Sequence, residues 1–153
     1  MIKSLLYLDN CCFNRPFDDQ TQIAIRKETE AKLSVQDIIR AGEVDIVWSF
    51  VLEYENERNP FPKRRVFTSS WAERAMIIIR PQPEIFQRAR ELYDCGLAAL
   101  DALHVACAEY AGASCFLTTD KGILKKGHVV GSVKMMTPVE FITEWKERPD
   151  DGC

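Results

Sequence analysis

Four places in this chain set a carboxylate where an apolar run ends or is interrupted. Asp9 closes "SLLYLD", and Asp120 closes "CFLTTD". Glu53 and Glu55 follow "VDIVWSFV" within one or two helical turns, and Asp101 interrupts the nearly all-apolar "LAALDALHVACAEYAG". Carboxylates brought together repel one another and raise each other's pKa unless a cation lies between them. Oxygen-only donors select a hard divalent ion such as Mg²⁺ or Mn²⁺. Such an ion polarises a phosphoryl oxygen and lowers the pKa of water, which is the chemistry of phosphodiester cleavage.

Each acid also has a plainer use. Asp9 can stabilise a turn at a strand end, and Asp101 can complement a helix dipole. Asp120 can cap the short helix "KGIL", and Glu55 can be one of several solvated acids in "EYENER". Their joint placement, rather than any single member, points to a site.

The elements that must bring them together can be read from hydrophobic periodicity. Strands are expected at residues 4–8, 44–51, 75–81, 113–119 and 131–137, each apolar throughout and rich in β-branched or aromatic residues. Helices are expected from Asp18 or Asp19 to Gly42, then from 52 to the Asn59-Pro60 break, and over 63–75. Three more follow over 82–96, 97–112 and 138–147, with Pro83 and Pro138 at helix starts. Asn10 and Asn14 either hydrogen-bond the first acid or a phosphate, or stabilise a turn before Pro16.

Strands that alternate with helices and are apolar on both sides predict a three-layer α/β/α sandwich around a parallel sheet of four to five strands. Open sheets of this kind place their ligand crevice outside the carboxyl ends of the strands. If strands one, two and four are neighbours, the acids converge there. Residues 1–147 are expected to form one domain, with 148–153 as a polar tail.

At 153 residues and 46% hydrophobic, the chain can bury one core. Its net charge of −3 argues against a broad basic surface, so a nucleic-acid contact must come from a local patch. "NPFPKRR", Arg15, Lys121, Lys125 and Lys126 are candidates for one, against a plainly solvated surface. Phe61, Phe67 and Trp71 can stack an unpaired base, cover a partner or pack inside. The N-terminus meets Asp9 before a secretory apolar region forms, and no stretch reads as a membrane span, so a cytoplasmic location is expected. The six cysteines include no CxxC pair and read as reduced thiols, mostly buried, with Cys153 on the tail. His104, one helical turn after Asp101, is better read as a satisfied core histidine than as a general base.

"YLDNCCFNRP", "SFVLEYENERNP", "LDALHVACAEYAG" and "FLTTD", in that order and over nearly the whole chain, resemble the PIN domain family, which includes the ribonuclease toxins of VapC-type toxin–antitoxin modules. The resemblance implies catalytic, metal-holding acids at Asp9, at Glu55 six residues past Ser49, at Asp101 in "DALH", and at Asp120 after Thr118 in "T-x-D". Glu53 competes with Glu55 for the second place. Implied with them are Mg²⁺ or Mn²⁺, an RNA substrate, an antitoxin protein in toxin members, and a homodimer. The alternative is a catalytically weak or inactive PIN-fold module that binds nucleic acid or protein. A phosphoacceptor domain wants an aspartate directly after strand three, where "RPQP" stands, and a haloacid-dehalogenase-type phosphatase wants DxD where "DNC" stands.

Overall fold

The computed structural model describes residues 3–13, the backbone of Asn14, and residues 21–148. Arg15, the Asn14 side chain, Asp18, Asp19, the tail from 149 onward and Cys153 lie outside the described residues.

The sheet is built from β1 (Leu5–Leu8), β2 (Asp45–Ser49), β3 (Ile77–Ile79), β4 (Cys115–Leu117) and β5 (Lys134–Met136). Its order is β3-β2-β1-β4-β5, and every pairing is parallel. Strands one, two and four are therefore side by side. Consecutive residues of β1 and β2 are buried, so both faces of the sheet are covered. On one side α2 (Ile23–Arg40) packs with α8 (Pro138–Glu147). The other side carries α5 (Pro83–Asp94) packed on α6 (Ala99–Ala111), with α3 (Phe50–Glu57) against α6 and β2. This is the expected three-layer α/β/α sandwich, with all five strands in one sheet.

Local chemistry moved several expected boundaries. The second strand stops at Ser49, not 51, because the Ser49 side chain accepts the Leu52 N–H and starts α3 at Phe50. A short helix absent from the sequence reading, α1 (Asn10–Asn14), follows β1 directly. The long second helix begins at Ile23, since residues 21 and 22 form a turn and a bend rather than helix. The expected 63–75 helix is α4 (Pro62–Ser70), with a separate 3₁₀ turn at Trp71–Arg74. β3, β4 and β5 are each three residues long, shorter than the apolar runs that announced them. Helix α7 (Lys121–Lys125) is capped by Asp120, and α8 by a reciprocal box between Thr137 and Glu140. Trp71 is 1% exposed and belongs to the core, whereas Phe61 stands in solvent beneath the Arg64 guanidinium.

Candidate metal centre

Three strand ends deliver the site. Asp9 directly follows β1, and its backbone N–H donates to the Leu117 carbonyl at the end of β4, which fixes the two loops against each other. Asp9 is itself buried. Its Oδ1 accepts the Asn10 N–H at 2.7 Å, and its Oδ2 accepts the Thr118 hydroxyl at 2.8 Å. Asn10 thus serves the first acid through its backbone, not its side chain. Thr118 also accepts the Asp120 N–H at 3.0 Å, so one threonine ties the first acid to the fourth. The Cys11 thiol lies beside the same carboxylate, 3.5 Å from Asp9 Oδ2.

Asp9, Glu55 and His104 each present a ligand atom within 4.8 Å of the other two. Among the described residues no other group of three or more acids, histidines or cysteines gathers so closely. His104 Nε2 contacts Glu55 Oε1 and lies 3.9 Å from Asp9 Oδ1. Asp101 and Asp120 stand outside this triangle; the Asp101 charge acts on His104, and the Asp120 charge acts on Asp101. Asp101, in the first turn of α6, is pushed up to about 6 by burial and then by the charges of Asp120 and Asp9, with Glu55 adding to them. His104 would be held neutral by its burial, but hydrogen bonding to Glu55 and the charges of Asp9, Glu55 and Asp101 outweigh that and raise it. Asp120 is exposed, and its Oδ1 caps α7 through the N–H groups of Gly122 (2.7 Å) and Ile123 (3.3 Å). Glu53 points elsewhere. It lines a separate cavity between β2 and β3 with Phe50, Ala72, Ile79, Arg80 and Pro81.

Apart from His104, no described basic side chain pairs with Asp9, Glu55, Asp101 or Asp120. A crowd of carboxylates with one imidazole, and with no arginine or lysine paired to them among the described residues, fits a divalent cation. Asp9 and Glu55, with Asp101 close enough to feel both, are the residues that would hold it.

One residue near the centre went unread in the sequence. Tyr7, in the middle of β1, is fully buried, and its hydroxyl sits 2.6 Å from both Ser49 Oγ and His104 Nδ1. Burial keeps this phenol protonated far above its ordinary range. The available signal was a tyrosine inside an otherwise aliphatic strand, since a buried phenol needs a partner. His104, read from the sequence as a satisfied core histidine, is buried with both ring nitrogens partnered, Nδ1 by Tyr7 and Nε2 by Glu55. The local basic surface is partly structural: Arg65 donates to the Asn59 carbonyl at 2.6 Å, and Arg58 stacks on Tyr54. No helix among the described residues is long and apolar enough to cross a membrane.

Comparison with known proteins bears on the family and the fold. The sequence profile of the PIN domain matches residues 6–129. The fold is similar to the crystal structure of VapBC2 from Rickettsia felis bound to a DNA fragment from its promoter. That likeness has a TM-score of 0.59 at 13% identity and covers 87% of this chain and 98% of that one. At that identity it speaks to the fold. No curated protein matches the chain.

Proposed function

From membership of the PIN domain family, to which this chain belongs, we propose that the protein is a divalent-metal-dependent endoribonuclease that hydrolyses RNA phosphodiesters. The observation that carries the reading is the convergence of Asp9 and Glu55 beside Asp101, whose carboxyl is pushed up to about 6 by burial and then by the charges of Asp120 and Asp9. Asp9, Glu55 and Asp101 would hold Mg²⁺ or Mn²⁺, with Asp120 at the open edge. Bound there, the ion supplies Lewis-acid polarisation of a phosphoryl oxygen and a lowered pKa for water.

The chain's own residues set the stage for this. Thr118 and the Asn10 N–H use one lone pair on each Asp9 oxygen and so fix the carboxylate's rotamer. Asp120, an exposed residue, caps α7 through its Oδ1. Lys121 and Lys125 are exposed on the helix that Asp120 caps, where they can contact phosphates without reading sequence. Partners proposed on the same footing are RNA as substrate, an antitoxin protein that occludes the acids, and a second copy of the chain. The first two follow from the family and from the fold's likeness to a toxin–antitoxin complex.

A second reading keeps the fold and drops catalysis, leaving a nucleic-acid- or protein-binding module. It is favoured by one observation: Glu55 is already engaged by His104. Incubating a mixed panel of end-labelled RNAs with Mn²⁺ separates the two. The nuclease reading predicts cleavage by wild type that EDTA stops and Asp9→Asn lowers by at least about a hundredfold. Equal products from both proteins would remove it.

A further inference from the structure

One buried polar chain runs from the start of α3 to the acids. The Leu52 N–H donates to Ser49 Oγ at 3.1 Å, and Ser49 Oγ lies 2.6 Å from Tyr7 Oη. Tyr7 Oη lies 2.6 Å from His104 Nδ1, and His104 Nε2 meets Glu55. Tyr7 and Ser49 are 0% exposed and His104 is 1% exposed, so each short contact must be satisfied within the protein.

For the neutral His104 ring the proton count fixes a direction. Ser49 Oγ accepts from Leu52, and its own proton can go to Tyr7. The Tyr7 proton is then free for His104 Nδ1, which must offer a lone pair. The neutral ring therefore carries its hydrogen on Nε2, facing a carboxylate acceptor. The opposite direction leaves a bare Nε2 lone pair against a carboxylate oxygen. It also makes the Ser49 hydroxyl find another acceptor, and its other neighbour is the Cys107 thiol, a weak one.

The geometry points to Tyr7 as a positioning residue of the metal centre: through His104 its phenol aims an Nε2–H at Glu55 and fixes that carboxylate toward Asp9. This rests on the metal-dependent reading of the site, and it adds a residue from the middle of a strand that touches neither metal nor RNA. Groups that orient a ligand's hydrogen-bond partner are among those on which metal affinity depends.

The test uses ¹⁵N NMR of the full chain together with Mn²⁺ calorimetry. The chain has two histidines, His104 and His128, so a His128→Gln variant assigns both signals. In metal-free protein, at a pH alkaline enough to make the ring neutral, wild-type His104 is expected to show a protonated Nε2 and an unprotonated Nδ1. Tyr7→Phe keeps the ring that stacks on Phe116 at 5.2 Å but removes the hydroxyl. In that variant the two nitrogen shifts should move toward an averaged tautomer, and Mn²⁺ affinity should fall about fivefold, the usual effect of losing one hydrogen bond. A wild-type ring protonated on Nδ1 overturns the proposal, and so does a Tyr7→Phe variant with unchanged shifts and unchanged affinity. If Tyr7→Phe does not fold, the wild-type tautomer alone decides. A wild type that shows the expected tautomer but neither binds Mn²⁺ nor cleaves RNA would remove the nuclease reading while the orientation of the chain stands.

Discussion

Replacing Asp101 with asparagine should make the metal-free protein more stable while destroying its response to metal. In the folded chain this carboxyl is raised from 3.8 to about 6, first by burial and then by Asp120 and Asp9. The sign follows from proton linkage. Between the unfolded and folded values the native state binds more protons, so stability falls as pH rises through that window, and the penalty is fully present above about pH 6. For a fully desolvated carboxylate the gap would be worth ~3 kcal/mol. Asp101 is only half-buried, and solvent screening reduces this to roughly 1.5 kcal/mol. Its place in the first turn of α6 returns about 0.5 kcal/mol through the helix dipole. The net gain from Asp101→Asn is therefore about 1 kcal/mol, or roughly 2–4 °C in Tm for a chain of this size. Thermal melts in EDTA at pH 7.5 and at pH 4 measure it. The variant should melt higher at pH 7.5 and equal to wild type at pH 4. Mn²⁺ should raise only the wild type. A variant that melts at or below wild type at pH 7.5 would refute the idea that burial and neighbouring acids together penalise this carboxylate in the folded state.

Saturating Mn²⁺ should stabilise wild type by about 2.7 kcal/mol at a hundredfold excess over Kd, seen as a Tm rise that chelation reverses. Glu55→Gln should lower RNA cleavage by at least about a hundredfold, while Glu53→Gln, facing the cavity between β2 and β3, should stay within about twofold of wild type in the same gel assay. Trp71→Ala should cost about 3–5 kcal/mol in urea unfolding, because this indole lies in the core and not on an RNA-facing surface.

The strands and their parallel arrangement were legible because every strand is an apolar run bounded by helix periodicity, and parallel packing demands that pattern; the strand order was not, beyond the condition that strands one, two and four be neighbours. The acids were legible for the same reason: Asp9 and Asp120 are abrupt charges at the ends of such runs. Glu53 against Glu55 was not. Two residues apart on a helix they point about 200° from each other. Which one faces β1 depends on where α3 starts, and that is set by the Ser49 cap, a single hydrogen bond. Helix α1 was hidden because Asn10 and Asn14 have strong turn preferences. In the folded chain Asp9 accepts the Asn10 N–H and helps start that helix. Tyr7 was hidden by its own aromatic ring, which reads as core until Ser49 and His104 are seen on either side of its hydroxyl.

The most direct test is anomalous diffraction from crystals soaked in Mn²⁺. A Mn²⁺ peak bonded to carboxylate oxygens of Asp9 and at least one of Glu55 and Asp101 is the predicted result. A soaked crystal with no peak between those side chains, or with manganese bound only elsewhere, would contradict it.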